Sequence, residues 1–260
     1  TNNTTNKERY EKMEIVICKT KEEASNLAAD MINAAVKKNP KTVLGLATGS
    51  TPVMMYNEMA KAVKAKKVSY KQVRTWNLDE YWGLPGTHDQ SYRYFMNKNL
   101  FDSIDIKKSN THVLNGLAKD WRKECAAYEA QIKKAGGIDL QVLGIGSDGH
   151  IAFNEPGSSL ASRTRIVYLT PQTIKDNARF FKKASDVPVS ALSMGVGTIC
   201  EAKKVVLKKW KRIDVLINNA QASASGVTIQ DHTTEQFNLA MYSGLYATFY
   251  YVKACYPYLK

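Results

Sequence analysis

Long apolar runs are missing from this chain, and their absence excludes one class of function. No stretch approaches the roughly 20 residues needed to span a bilayer, and no charged-then-apolar leader marks a secretory signal. No membrane partner is expected, and a soluble cytoplasmic protein is the reading. Cysteine is sparse. Cys18, Cys125, Cys200 and Cys255 are scattered with no CxxC pair, which leaves neither zinc-ligand spacing nor a disulfide framework. Cys18 and Cys200, in apolar or helical surroundings, read as buried free thiols. The phosphate-loop pattern GxxxxGK[ST] is absent too. Acidic side chains are short in number, with Asp+Glu 24 against Lys+Arg 37 and a net charge of +13. Such an excess raises nucleic acid as a partner. The lysines, however, are spread along amphipathic segments, and the one dense cluster, 203–212, holds a single tryptophan instead of interleaved aromatics. That is a solvated surface, with no nucleic-acid partner, whose field would still draw small anions.

What is present is ordinary globular material: 260 residues, 44% hydrophobic and 23% charged, enough to bury a sizeable core. Residues 1–12 are polar and rich in Asn and Thr, and read as a disordered leader ahead of a start at Met13. From there strand-like and helix-like segments alternate. Residues 13–18, 42–46, 73–78 and 138–145 read as strands; 22–38, 52–65 and 121–135 carry apolar residues at helical spacing. This βαβ rhythm predicts an α/β fold, doubly wound around a mostly parallel, Rossmann-like sheet. Ligands in such folds bind beyond the carboxyl ends of the strands. Three loops occupy those positions: 48–51, 79–84 and 146–156.

Each of the three carries chemistry. The first, Thr48-Gly49-Ser50-Thr51-Pro52, places a glycine and three hydroxyls at a helix start. It is either an anion site, where free N–H groups and the helix dipole meet a ligand, or a well-capped helix. The second, Leu78-Asp79-Glu80-Tyr81-Trp82, puts two carboxylates at a strand end. Either could be a partly desolvated general base or a solvated turn acid, with Glu80 the weaker candidate because neighbours on a strand face opposite ways. The third, Gly146-Ser147-Asp148-Gly149-His150-Ile151-Ala152-Phe153-Asn154-Glu155-Pro156, sets a histidine between acids after a buried strand. Acids can fix such an imidazole's tautomer and stabilise its charged form, which suits proton shuttling near neutral pH. The spacing is not that of a helical zinc site. His88, His112 and His232 read as surface or satisfied core residues.

The order TGSTP, NLDEYWGL, GIGSDGHIAFNEPGSSLASRTR, ARFF and MGVGTICEAK strongly resembles the glucosamine-6-phosphate deaminase family (glucosamine/galactosamine-6-phosphate isomerases) over about residues 13–207. The sibling 6-phosphogluconolactonases share a G-x-DGH loop but typically continue differently where this chain has Ala152-Phe153-Asn154-Glu155-Pro156. The resemblance implies isomerisation and deamination of glucosamine 6-phosphate, a small sugar phosphate, with no metal or organic cofactor. It assigns substrate phosphate binding to Thr48, Gly49, Ser50, Thr51, Ser158 and Arg179. It makes Asp79 the base that moves a proton from C2 to C1, and His150 the residue that assists ring opening, tuned by Asp148 and Glu155. Arg165 matches one residue of an allosteric site found in some members, but Val167 stands where those carry lysine, so such regulation is not expected.

After Leu207 the resemblance stops. Ile213-Asp214-Val215-Leu216-Ile217-Asn218-Asn219-Ala220 and the tyrosine-rich stretch that follows resemble an internal fragment of a short-chain dehydrogenase. That family's Tyr-x-x-x-Lys pair is missing, and Gly244 replaces its helix asparagine. Three parts are therefore expected: a leader, 1–12; a C-terminally truncated deaminase-like α/β domain, 13–207; and a strand-helix segment of foreign origin, 208–260. The competing expectations are an inactive sugar-phosphate-binding hybrid and a lactonase-like hydrolase. Monomer and homo-oligomer stay equally open.

Overall fold

The computed structural model describes residues 18–144, 150–178, 181, 183–202 and 233–234. The expected leader, most of the strand at 13–18, Asp148, Arg179, His232 and all but two residues of the segment 208–260 lie outside them.

Four strands form a parallel sheet in the order β4-β2-β1-β5: β1 Val43–Leu46, β2 Arg74–Asn77, β4 Thr111–His112 and β5 Leu140–Gln141. All four residues of β1 are buried, as a central strand covered on both faces requires. Its alternation sorts the core. Leu44 and Leu46 join Ala29, Ile32 and Val36 of helix α1 (Lys21–Lys38) and Met55, Tyr56 and Met59 of α2 (Val53–Lys64). Val43 joins Cys125, Tyr128 and Ile132 of α4 (Trp121–Lys134) on the other face. Helices thus cover both sides of the sheet, as the βαβ pattern predicts. The helix bounds follow local chemistry: Thr20 accepts from the Glu23 N–H at 3.1 Å, and Asp120 caps Arg122 and Lys123.

The strand expected at 138–145 pairs only over Leu140–Gln141 among the described residues. Close approach depends on Gly45, since a Cβ there would lie 2.0 Å from Gln141 Oε1. The chain steps outward from β1 to β2 to β4, then returns to the opposite side of β1 as β5. The direction of winding therefore reverses between β1 and β5, the position at which folds of this kind bind ligand in a crevice beyond the strands' carboxyl ends.

A second sheet is antiparallel, in the order β3-β7-β6: β3 Asp79–Tyr81, β7 Ser190–Ser193 and β6 Arg165–Tyr168. One residue joins the two sheets. The Leu78 N–H donates to Leu46 O at 3.2 Å in the parallel sheet, while Leu78 O accepts from the Met194 N–H at 2.7 Å beside the antiparallel one. The strand read as ending at Asp79-Glu80 thus continues, with its hydrogen bonds passed to new partners. Three short helices complete the description: α3 Tyr92–Met96, continued by a π turn over Asn97–Phe101, α5 Pro171–Asn177 and α6 Val196–Cys200. Cys125 is buried and Cys18 half-buried. Cys200 departs from expectation: at the last turn of α6 it is exposed, because the buried face of that helix is taken by Thr198 and Ile199. No described helix is long and apolar enough to cross a membrane.

Candidate active site

The first wall of the crevice is the turn between β1 and α2. Gly49 adopts φ +105°, a conformation that L side chains rarely adopt. Gly49, Ser50 and Thr51 are exposed and Thr48 is half-buried. Pro52 occupies the N-cap of α2, so no side chain caps that helix. The buried Tyr56 donates its hydroxyl to Ala47 O at 2.5 Å, tying the first turn of α2 to the end of β1. Of the two sequence readings, the capped helix is corrected. The hydroxyls are left to face solvent around an uncapped helix start, an arrangement suited to an anion.

The second wall holds the carboxylates, and the structure separates them. Both are buried, Asp79 at 6% and Glu80 at 1% exposure, so neither is a solvated turn acid. Burial, with the Glu80 charge adding to it, pushes the Asp79 carboxyl up to about 7, while nearby His150 pulls the other way. Glu80 accepts three backbone N–H bonds, from Tyr81 (2.9 Å), Tyr92 (2.9 Å) and Arg93 (3.0 Å). Burial raises its pKa and those bonds offset the rise. One carboxylate is held in a backbone cradle; the other sits within electrostatic reach of an imidazole.

The third wall is the loop after β5. His150 is half-buried, with Nδ1 3.8 Å from Glu155 Oε2. Glu155 Oε1 in turn accepts from the Thr173 hydroxyl at 3.0 Å. Between them Ile151–Asn154 closes on itself: the Asn154 N–H donates to Ile151 O at 2.9 Å, and Ala152 takes a left-handed φ of +52°. A residue with a Cβ rarely adopts that backbone unless its surroundings impose it. Here Asn154, 4% exposed, imposes it by donating to Ile151 O (3.0 Å) and Met194 O (2.7 Å) and accepting from Arg165 (2.8 Å). The Phe153 N–H donates to Ser193 Oγ at 3.2 Å. Tyr81, Tyr92, Phe153 and Phe181 pack ring against ring beside Asp79, with Tyr81 and Tyr92 centroids 4.9 Å apart.

The structure therefore brings together Asp79, His150 and Glu155 from among the expected residues, with the 48–51 turn at the neighbouring strand end. Ser158 is half-buried, in the turn where its N–H donates to Glu155 O at 3.0 Å. It makes no direct hydrogen bond with the 48–51 turn among the described residues. His112 is half-buried and hydrogen-bonded, stacked on Trp76 at 4.1 Å and bonded to Thr75 O. Asn154, Thr173 and Ser193 were not singled out from the sequence. Asn154 lay in view within the loop motif, whereas Thr173 and Ser193 have no local signal, because their partners are 18 and 40 residues away. No described group of His, Cys, Asp and Glu is arranged to hold a metal ion.

Comparison with known proteins places the chain in a family. The profile of the family described as glucosamine-6-phosphate isomerases/6-phosphogluconolactonase matches residues 19–209. Over 195 residues the chain is 55% identical to the glucosamine-6-phosphate deaminase of Shewanella woodyi, covering 75% of this chain and 74% of that one. The enzyme of the same name from Clostridioides difficile is 52% identical over 75% of this chain and 78% of its own. Among solved structures, a monomeric glucosamine-6-phosphate deaminase superimposes with a TM-score of 0.72 at 41% identity, covering 78% of this chain and 81% of that one. A 6-phosphogluconolactonase from Trypanosoma cruzi, 21% identical with a TM-score of 0.57 over 74% and 78% of the two chains, shares the fold. The chain belongs to the glucosamine-6-phosphate isomerase/6-phosphogluconolactonase family.

Proposed function

We propose that this protein isomerises and deaminates glucosamine 6-phosphate, releasing fructose 6-phosphate and ammonia. The observation that carries the reading is Asp79, a buried carboxylate raised to about 7 beside His150. A general base works best when its pKa lies near the working pH. Phosphate would lie at the start of α2 against Thr48, Gly49, Ser50 and Thr51, with Ser158 and Arg179 adding to its grip. His150, oriented by Glu155 and Asp148, moves a proton to and from the ring oxygen as the pyranose opens. Asp79 takes the C2 proton of the open amino aldehyde, leaving an enolamine, and returns it to C1. The carbonyl carbon is reduced while C2 is oxidised to a ketimine. Water adds to that ketimine and ammonia leaves. The substrate's own carbonyl and amino groups accept the electrons throughout. The same reading assigns the reaction to amino-sugar catabolism and the protein to the cytoplasm.

The test is ammonia release from glucosamine 6-phosphate by the full chain, beside Asp79→Asn. A well-placed base contributes about 10²- to 10⁴-fold, so the variant should lose that much turnover while still binding the sugar phosphate. Undiminished release by Asp79→Asn would refute the assignment.

A further inference from the structure

Glu80 has no part in the reaction as written, yet its setting is unusual. It is 1% exposed and follows directly on Asp79, so two carboxylates are buried side by side. Burying one charge is costly, and burying two of the same sign compounds the cost. Capping α3 does not require a charge there. Ser91 already caps that helix by accepting from the Tyr94 N–H at 3.1 Å. The three N–H groups that Glu80 binds could be satisfied by a neutral acceptor. The Arg93 guanidinium hydrogen-bonds to Thr111 Oγ1 (2.8 Å) and Thr111 O (3.0 Å), and acts on Glu80 only through space. The clamp also draws in the loop before α4. Gly116 packs so tightly that a Cβ on it would lie 2.3 Å from Tyr81 O, 2.6 Å from Leu84 O and 3.5 Å from Glu80 Cγ.

We propose that Glu80 is a positioning residue for Asp79: its buried carboxylate, accepting N–H bonds from Tyr81, Tyr92 and Arg93, bolts strand β3 to the first turn of α3 and so fixes the base that precedes it. The inference rests on Asp79 acting as that base. The groups facing Asp79 are few. Glu80 and Tyr81 come from β3, Tyr92 from α3, Tyr128 from α4 and His150 from the loop after β5. Burial raises all three phenols well above neutrality. Among the described residues, Glu80 and His150 are therefore the neighbours whose charges bear on Asp79. They act in opposite directions. A single buried carboxylate would hold its proton less tightly, and a neutral residue at position 80 would leave more of the base unprotonated on the acid side.

The test is the pH profile of ammonia release by Glu80→Gln, which keeps the size and removes the charge. A close like charge raises a carboxyl by about one pH unit or more, so the acid limb should move down by about one unit. Activity at pH 6 relative to pH 8 should then rise about fivefold. At pH 8, kcat should fall about tenfold with KM within about twofold, as a slightly misplaced base requires. Glu80→Asp, which keeps the charge, should restore the acid limb and not the rate. An unmoved acid limb in Glu80→Gln, or a change in KM alone, would overturn the proposal and leave Glu80 a purely structural clamp. If Glu80→Gln does not fold, coupling can be read in the reverse direction. Carboxyl infrared titration should show Glu80 titrating lower in Asp79→Asn than in the parent, and an unchanged Glu80 would overturn the proposal equally. Failure of the deaminase reading is separate, since it would appear as Asp79→Asn retaining full turnover.

Discussion

Replacing Asn154 with alanine should weaken the fold and the active loop together. The side chain is buried and makes three hydrogen bonds, two to the carbonyls of Ile151 and Met194 and one from the Arg165 guanidinium. A neutral hydrogen bond contributes about 1 kcal/mol and one to a charged partner about 2, so the loss comes to about 4 kcal/mol. For a chain of this size each kcal/mol lowers the midpoint by about 3 °C, giving a fall of about 12 °C. Against a total stability of about 5 to 15 kcal/mol that is a large fraction. Urea and thermal unfolding at pH 7.5 would measure it, with Arg165→Ala and the double variant closing a cycle whose coupling should exceed about 1 kcal/mol. The same bonds hold Ala152 in its left-handed turn two residues from His150. Ammonia release well below the new midpoint should therefore also fall, by about tenfold. A loss under 1 kcal/mol would refute the hydrogen-bond reasoning. A destabilised but fully active variant would refute the claim that Asn154 shapes the loop.

Two more outcomes follow from other parts of the structure. Gly49→Ala places a Cβ at φ +105°, which costs about 1 kcal/mol of stability. Because it distorts the turn proposed to hold the phosphate, it should raise KM for the sugar phosphate by about tenfold with a smaller change in kcat, as steady-state kinetics would show. Glu129 is half-buried on α4. Burial pushes its carboxyl up, but bonds from Thr164 and Thr198 and the Arg163 charge more than offset this and hold it below the ordinary glutamate value. A lowered folded-state pKa stabilises above the unfolded value and is lost as pH falls through the folded one. Glu129→Gln should therefore be less stable than the parent at pH 7 and converge with it below about pH 4, measured by urea unfolding at both pH values.

The helices were legible because their signals are local. The helical spacing of apolar residues over 22–38 and 121–135 needs no distant partner, and α1 and α4 lie within a residue of those bounds. The three reactive loops were legible for the same reason, since βαβ alternation places loops 48–51 and 79–84 at carboxyl ends of parallel strands and each motif is contiguous. What could not be read was any feature whose partner is far along the chain. The continuation of β2 into β3 depends on Leu78 meeting both Leu46 and Met194. The antiparallel sheet depends on Asp79 pairing with Ser193.

The two carboxylates show the division most plainly. Sequence placed Asp79 and Glu80 together at a strand end and, from the alternation of strand side chains, made Glu80 the weaker candidate base. It could not say that both would be buried. Nor could it say that three backbone N–H groups would converge on Glu80 while Asp79 was left to His150 and a carboxylate neighbour. Residue type and spacing set which groups are available and on which element they ride, because secondary structure is governed by near neighbours. Proton affinity is set by desolvation and by charges a few ångströms away, and those neighbours exist only once β3, α3 and the loop carrying His150 have packed against one another.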